Sequence, residues 1–172
     1  ALVWWIKYLE VSFITVSQAS KNNLESYTLM KKMHVIYNGL ELKDLRVKSF
    51  DFKNKWNIGQ EKIVVGIIGP VDPHKGHATL LEIFKQSRVL QKKAHLVVVG
   101  SGREQLVENL KKIVEEYELD GIVTFTGFIH GDSHVIISGF DLLVMPTVDF
   151  EGFGYSVAEG MGAGVPVVAS RV

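Results

Sequence analysis

Cysteine is absent from this chain, which excludes disulfides and thiolate metal sites and permits a reducing compartment without requiring one. Excess charge of either sign is absent too. Lysine plus arginine and aspartate plus glutamate number 19 each, so no global field draws the chain to nucleic acid or to an anionic membrane. No apolar run reaches the length of a membrane-spanning helix, because the N-terminal ALVWWIKYLEVSFIT is broken by Lys7 and Glu10. That segment also lacks the charged start and small-residue cleavage site of a secretory signal. Its Trp4, Trp5 and Tyr8 fit the end of a core helix better than a membrane-interface patch. Internal repeats and low-complexity tracts are missing from Glu61 onward.

What is present favours a globular domain. The 172 residues fit one domain, or one domain with the remnant of another, and a hydrophobic content of 47% is ample for a core. From Glu61 onward, short apolar runs without alternation are separated by segments of helical period. Strands are expected at 63–68, 95–99, 122–126, 142–145 and 165–168, and helices at 77–88 and 103–117. The second helix has a stripe of Leu106, Val107, Leu110, Ile113, Val114 and Tyr117, so one face packs on a sheet. The fold class is therefore α/β, a Rossmann-like parallel sheet with helices on both faces, whose ligands sit beyond the C-terminal ends of the strands. Upstream, the pattern predicts a helix end over 1–9, a strand over 11–16 and a helix to about residue 30 capped by Ser17. A strand over 34–37 follows, closed by the turn Asn38-Gly39. Residues 41–60 are polar and charged, with a short helix expected over 49–56. The expected division is 1–40 as the tail of one domain, 41–60 as linker and entry, and 61–172 as the second domain.

The most informative stretch is EGFGYSVAEGMGAGVPVVAS, Glu151 to Ser170. It reads as glycine loop, helix and strand, with Glu151 in the loop and Glu159 two turns into the helix. Gly152 and Gly154 let backbone amides approach a ligand, and those amides with the helix start suit a diphosphate or a developing anion. Carboxylates beside such a surface repel phosphate but accept hydrogen bonds from hydroxyls. The composite asks for hydroxyls at both ends of a diphosphate, which describes a nucleotide-sugar.

Three other loops fall at expected strand ends. Gly69-Pro-Val-Asp-Pro-His-Lys75-Gly76 puts a lysine and a glycine at a helix start, suited to a phosphate, although a solvated loop lysine has the same sequence. Val99-Gly-Ser-Gly-Arg103 is weak evidence of phosphate binding by itself, because the third glycine of a dinucleotide fingerprint is missing. The same absence argues against a nicotinamide oxidoreductase. Gly127-Phe128-Ile129 follows the third strand, where Phe128 suits either a base-flanking position or the core. Neither His74 nor His77 has an identifiable partner in the sequence, and His130, Asp132 and His134 make no recognisable metal set.

The stretch from Glu151 to Ala169 closely resembles the signature of the retaining glycosyltransferases of family four, the glycosyl transferases group 1 with the GT-B fold. Gly160 and Gly162 stand where that family usually has alanine, which weakens the helix by roughly 1 kcal/mol each. FITVSQASKNNLESY and VIYNGLEL resemble the end of the family's acceptor domain and its passage into the linker. Lys75 and Gly76 match the family's phosphate loop, but Pro70 occupies the place of its arginine and brings neither charge nor N–H. A lost charge-assisted contact is worth about 1.5–3 kcal/mol.

The resemblance implies the donor-binding half of a GT-B glycosyltransferase, truncated and carrying a remnant of the acceptor domain. By itself this piece is not expected to turn over. Glu151 would contact the donor sugar, orienting it rather than attacking it. Gly152, Phe153, Gly154 and Tyr155 would bind sugar and phosphate through the backbone, and Glu159 would hold the ribose. Lys75, with Gly69 and Gly76, would stabilise the leaving diphosphate, while Arg103, Phe128 and Ile129 would line the nucleotide. The implied donor is a UDP- or GDP-sugar with no cofactor or metal. The implied acceptor is a carbohydrate or lipid-linked molecule bound mainly by the missing domain. The expected setting is polysaccharide or glycoconjugate biosynthesis in the cytoplasm or at the inner face of the membrane, with no nucleic-acid partner. A catalytically degenerate binding or assembly domain is the alternative that Pro70 raises.

Overall fold

The structure is a computed structural model and describes residues 12–27, 32–41 and 49–172. The helix end expected over 1–9 lies outside the described residues. Two compact units are formed, one from Ala1–Glu41 with Glu151–Gly154, the other from Leu42–Phe150 with Tyr155–Val172.

The first unit contains a βαβ element. Strand β1 (Phe13–Thr15) leads through helix α1 (Gln18–Tyr27) to β2 (Met33–Val35), which pairs with β1 in parallel. Ser17 caps the helix as its sequence position predicts, its hydroxyl accepting from the Ser20 amide at 3.0 Å. The Thr15 hydroxyl is buried and donates to the carbonyls of Ser17 and His34, so the strand end and helix start share one polar knot.

The second unit is built on five parallel strands: β3 (Ile63–Ile68), β4 (Ala94–Val99), β5 (Val123–Gly127), β6 (Leu142–Met145) and β7 (Val167–Ala169). Their spatial order is β5-β4-β3-β6-β7. In chain order the helices are α2 (Phe52–Lys55), α3 (His77–Gln86), α4 (Arg88–Lys93), α5 (Glu104–Glu116), α6 (Ser133–Ile137) and α7 (Tyr155–Gly162). Alternate residues of the apolar strands enter different cores. Val65, Ile67, Leu96 and Val98 pack with Leu80, Leu81 and Phe84 of α3 and Leu110 and Val114 of α5. Val64, Val97, Val99 and Leu143 pack with Phe52, Ile58, Ile136, Ile137 and Phe140 on the other face. Every residue of β4 is therefore buried, which explains why the strand shows no polar alternation.

Phe52, Trp56 and Ile58 come from the stretch expected to hold the linker and domain entry. In the structure Phe52 stacks on Phe140 at 4.9 Å and on Trp56 at 5.5 Å. Phe140 lies over Gly66 of β3, where a Cβ would fall 2.3 Å from the ring. Several elements differ from expectation: the helix expected over 49–56 is confined to Phe52–Lys55, the strand expected over 34–37 is Met33–Val35, and Asn38-Gly39 forms no turn. The helix predicted over 77–88 stops at Gln86, because Ser87 is extended and its hydroxyl caps a new helix, α4. The polar loop around His130 and His134 contains α6, capped by Asp132 accepting from the His134 amide at 3.1 Å. The last strand begins two residues late. Pro166, without an N–H, contributes only its carbonyl to Leu143, and Val165 is buried in the core.

Candidate functional site

The chain runs outward from β3 through β4 to β5, then returns to the opposite side of β3 at β6. Connections diverge at that point, and the crevice beyond the C-terminal ends of β3 and β6 is where open α/β sheets bind ligands. Among the described residues, two adjoining cavities lie there. The larger, about 490 Å³, is lined by Ile68, Gly69 and Pro70 after β3, by Val99, Gly100 and Ser101 after β4, and by Phe128, Ile129 and Gly131 after β5. Ser133 and Ile136 of α6 with Ser156 and Glu159 of α7 complete it. Its volume falls within the range of ordinary small-molecule sites. The smaller, about 50 Å³, is lined by Ile67 to Pro70, Lys75, His77, Met145 and Ser156. The two share Ile68, Gly69, Pro70 and Ser156.

The loops around these cavities are joined backbone to backbone. Gly69 N–H donates to the Val99 carbonyl at 3.0 Å, Val71 N–H to Ser101 at 2.9 Å, and Gly100 N–H to Gly127 at 2.9 Å. A Cβ on Gly100 would lie 1.9 Å from the Gly69 carbonyl oxygen, and one on Gly102 would lie 2.3 Å from that of Val71. The Gly-x-Gly sequence after β4 therefore answers first to the packing of one loop on another. Gly76 is held in the same way: its φ is 75° and its Cβ position lies 1.8 Å from the Pro146 carbonyl oxygen. Next to it, Val148 N–H donates to the His74 carbonyl at 2.9 Å, so the Lys75 loop is fixed to the end of β6.

Of the residues expected to bind a donor, Gly69, Phe128, Ile129 and Glu159 line the larger cavity, and Gly69 and Lys75 line the smaller. Phe128 is 66% exposed and meets the His130 ring edge-on at 4.9 Å, which settles it as a rim residue rather than a core one. Glu159 and Ser156 lie on one helix face, three residues apart. Arg103 is exposed at the start of α5, and neither it nor Tyr155 lines these cavities. Glu151, Gly152, Phe153 and Gly154 belong to the first unit, where the Gly152 carbonyl accepts from the Ser20 hydroxyl at 3.4 Å. A Cβ at Gly152 would make only ordinary contacts of 3.7 Å, whereas Gly154 has a φ of 78°. Gly160 is buried against the sheet: its Cβ position lies 2.6 Å from Leu143 and 2.9 Å from Val167, so close packing accounts for the glycine there.

The histidines acquire partners and surroundings that spacing could not reveal. His74 Nδ1 lies 2.6 Å from Asp72 Oδ1. His77, only 5% exposed, has neither ring nitrogen in a hydrogen bond of ordinary geometry. Burial holds its pKa below the ordinary 6.5, opposed by the Asp72 carbonyl and carboxylate and assisted by the Lys75 charge. His95, buried in β4 and bonded to the Thr124 hydroxyl at 2.8 Å, is lowered first by burial and then by Lys62. Both imidazoles bind protons more readily when the chain is unfolded. Stability is therefore expected to hold above pH 6.5 and to decline as the pH falls below it. Urea unfolding at pH 7.5 and 5.5 should show the loss, reduced in the His77→Gln/His95→Gln double variant; an equal slope in both proteins would refute the assignment.

Among the described residues, no helix is long and apolar enough to cross a membrane. The protein family described as glycosyl transferases group 1 matches residues 48–172. The O-antigen biosynthesis glycosyltransferase WclY of Escherichia coli is 26% identical over 172 residues, covering 99% of this chain and 46% of WclY. A GDP-mannose-dependent alpha-(1-6)-phosphatidylinositol monomannoside mannosyltransferase of Mycobacterium tuberculosis is 30% identical over 130 residues, 70% of this chain and 32% of that protein. The crystal structure of Anabaena HepE with UDP and glucose superposes with a TM-score of 0.82 at 23% identity, covering 99% of this chain and 47% of that one. The chain thus spans about half the length of WclY and of HepE.

Proposed function

This chain belongs to the glycosyl transferases group 1 family, and on that premise we propose that it supplies the nucleotide-sugar-binding half of a retaining glycosyltransferase. The observation that carries the reading is the convergence of Gly69, Lys75, Phe128, Ile129 and Glu159 on adjoining cavities at the β3–β6 crevice. A mostly apolar space with Ser133, Ser156 and Glu159 among its lining and an exposed ring at its rim suits a nucleoside, and Lys75 lines the adjoining space where a diphosphate would leave. In this reading Glu159 accepts hydrogen bonds from the ribose and Lys75 offsets the charge that develops on the diphosphate. Glu151 orients the sugar, a role that rests on the sequence resemblance alone.

During transfer the bond from the sugar's anomeric carbon to the phosphate oxygen breaks. The acceptor oxygen forms its bond on the same face, and its proton passes to the departing phosphate oxygen. The acceptor would be a carbohydrate or lipid-linked glycoconjugate, and the setting the cytoplasm or the inner face of the membrane. Relatives named for O-antigen and phosphatidylinositol mannoside synthesis support that class.

Calorimetric titration of the intact protein with UDP and with GDP tests the site. One of them should bind, and Glu159→Ala should weaken it about tenfold or more, the loss of a hydrogen bond to a charged group. No binding at millimolar nucleotide would overturn the reading. Pro70, in place of the family's arginine, supports a second reading in which the domain binds a nucleotide-sugar without transferring it. Binding that Glu159→Ala abolishes, in a protein with no transfer to any acceptor, would favour that one.

A further inference from the structure

Ser133 was not legible as a functional residue, because the loop holding it showed no helical pattern. In the structure it is the first residue of α6, and its hydroxyl donates to Glu159 Oε1 at 2.6 Å across the larger cavity's wall. That distance is typical of a hydroxyl on an ionised carboxylate. The bond is not a by-product of helix capping, since Asp132 already caps α6 through the His134 amide. Both side chains are partly buried and line the cavity, so the bond links two helices at the place where a ligand would sit.

We propose that Ser133 is a positioning residue that holds the Glu159 carboxylate for a ribose diol. This rests on the nucleotide-site reading above. A carboxylate offers about four lone-pair directions. Ser133 occupies one and fixes the orientation of the group, leaving the others for the ligand. Without that restraint the Glu159 side chain must be ordered each time a nucleotide binds, and hydroxyls on the ligand lose part of their advantage over hydrogens.

The test compares UDP and GDP with their 2′-deoxy and 3′-deoxy forms by calorimetry on the intact protein. Wild type should bind the better ribonucleotide at least about tenfold more tightly than one of its deoxy forms. Ser133→Ala should cut that ratio to about threefold or less, the scale of losing one ordered side chain, and Ser133→Thr, which keeps the hydroxyl, should restore it. Ser133→Cys provides a second variant should the alanine protein be poorly folded, which circular dichroism would show.

A purely structural serine would weaken ribo- and deoxy-nucleotides equally, and that result overturns the proposal. So does an unchanged ratio in Ser133→Ala when Glu159→Ala has abolished discrimination, a result that leaves the nucleotide site standing. If Glu159→Ala changes neither affinity nor ratio, the nucleotide-site reading fails together with this one.

Discussion

Gly76→Ala should be among the most damaging single substitutions in the second unit, lowering stability by about 2–5 kcal/mol. Two costs combine. At φ 75° the residue is in the left-handed region, where a Cβ costs about 1–2 kcal/mol. The added carbon would also lie 1.8 Å from the Pro146 carbonyl oxygen, and a backbone atom cannot swing aside as a side-chain tip can. The Lys75 loop and the end of β6 must separate, which strains or breaks the bond from Val148 N–H to the His74 carbonyl. Overpacking of a fixed interior typically adds about 1–3 kcal/mol. A fall of about 10 °C in the melting midpoint is expected for a chain of this size. Gly127→Ala is the matched control, with φ 67° and no atom within 4 Å of its Cβ position, so it carries the conformational cost alone. Equal losses in the two variants would show that the contact with Pro146 is not what makes Gly76 necessary.

On the proposed reading, Lys75→Met should lower kcat by about 10²–10³-fold in the intact protein while weakening nucleotide binding much less. Groups that meet charge only as it develops act on the transition state, and removing one such donor has that scale of effect. Methionine keeps the length of the side chain and removes the ammonium, so packing in the loop is largely preserved. The proline at 70 strengthens the expectation, because that position supplies no cation to share the diphosphate's charge. Transfer should be assayed with a donor and acceptor found by screening UDP- and GDP-sugars, alongside calorimetry with the free nucleotide. A kcat within threefold of wild type, in a protein of normal stability, would remove Lys75 from the reaction.

These expectations draw on parts of the chain that were unequally legible. Strands β3 and β6 were read to the residue, because each is an unbroken apolar run closed by glycine or proline. The helices flanking the sheet followed from the stripe on 103–117 and the period of 77–88. Short polar helices were another matter. Helix α4, RVLQKK, has no apolar stripe to reveal it, and only Ser87 at its cap position gave a signal. Helix α6 had the same kind of clue in Asp132 followed by Val135, Ile136 and Ile137, hidden by the histidines around it. Missing α6 meant missing Ser133. Glu159 and Lys75 could be named from sequence because their neighbours form a recognisable pattern. The Ser133–Glu159 bond joins residues 26 apart in the chain and belongs to tertiary structure alone. The glycines of the β4 loop are the converse case: they were conspicuous in sequence, and what they meet is backbone.

That last feature bears on how such a protein can be altered. The rim of the crevice is stitched main chain to main chain, Gly69 to Val99, Val71 to Ser101, Gly100 to Gly127 and Val148 to His74, and Gly76, Gly100 and Gly102 leave room for that close approach. Its shape is accordingly insulated from the identities of Pro70, Ser101 and Phe128, whose side chains contribute little to that stitching. A randomised library at those three positions should yield mostly folded proteins with diverse ligand preferences, while the same diversity at the glycines should yield almost none.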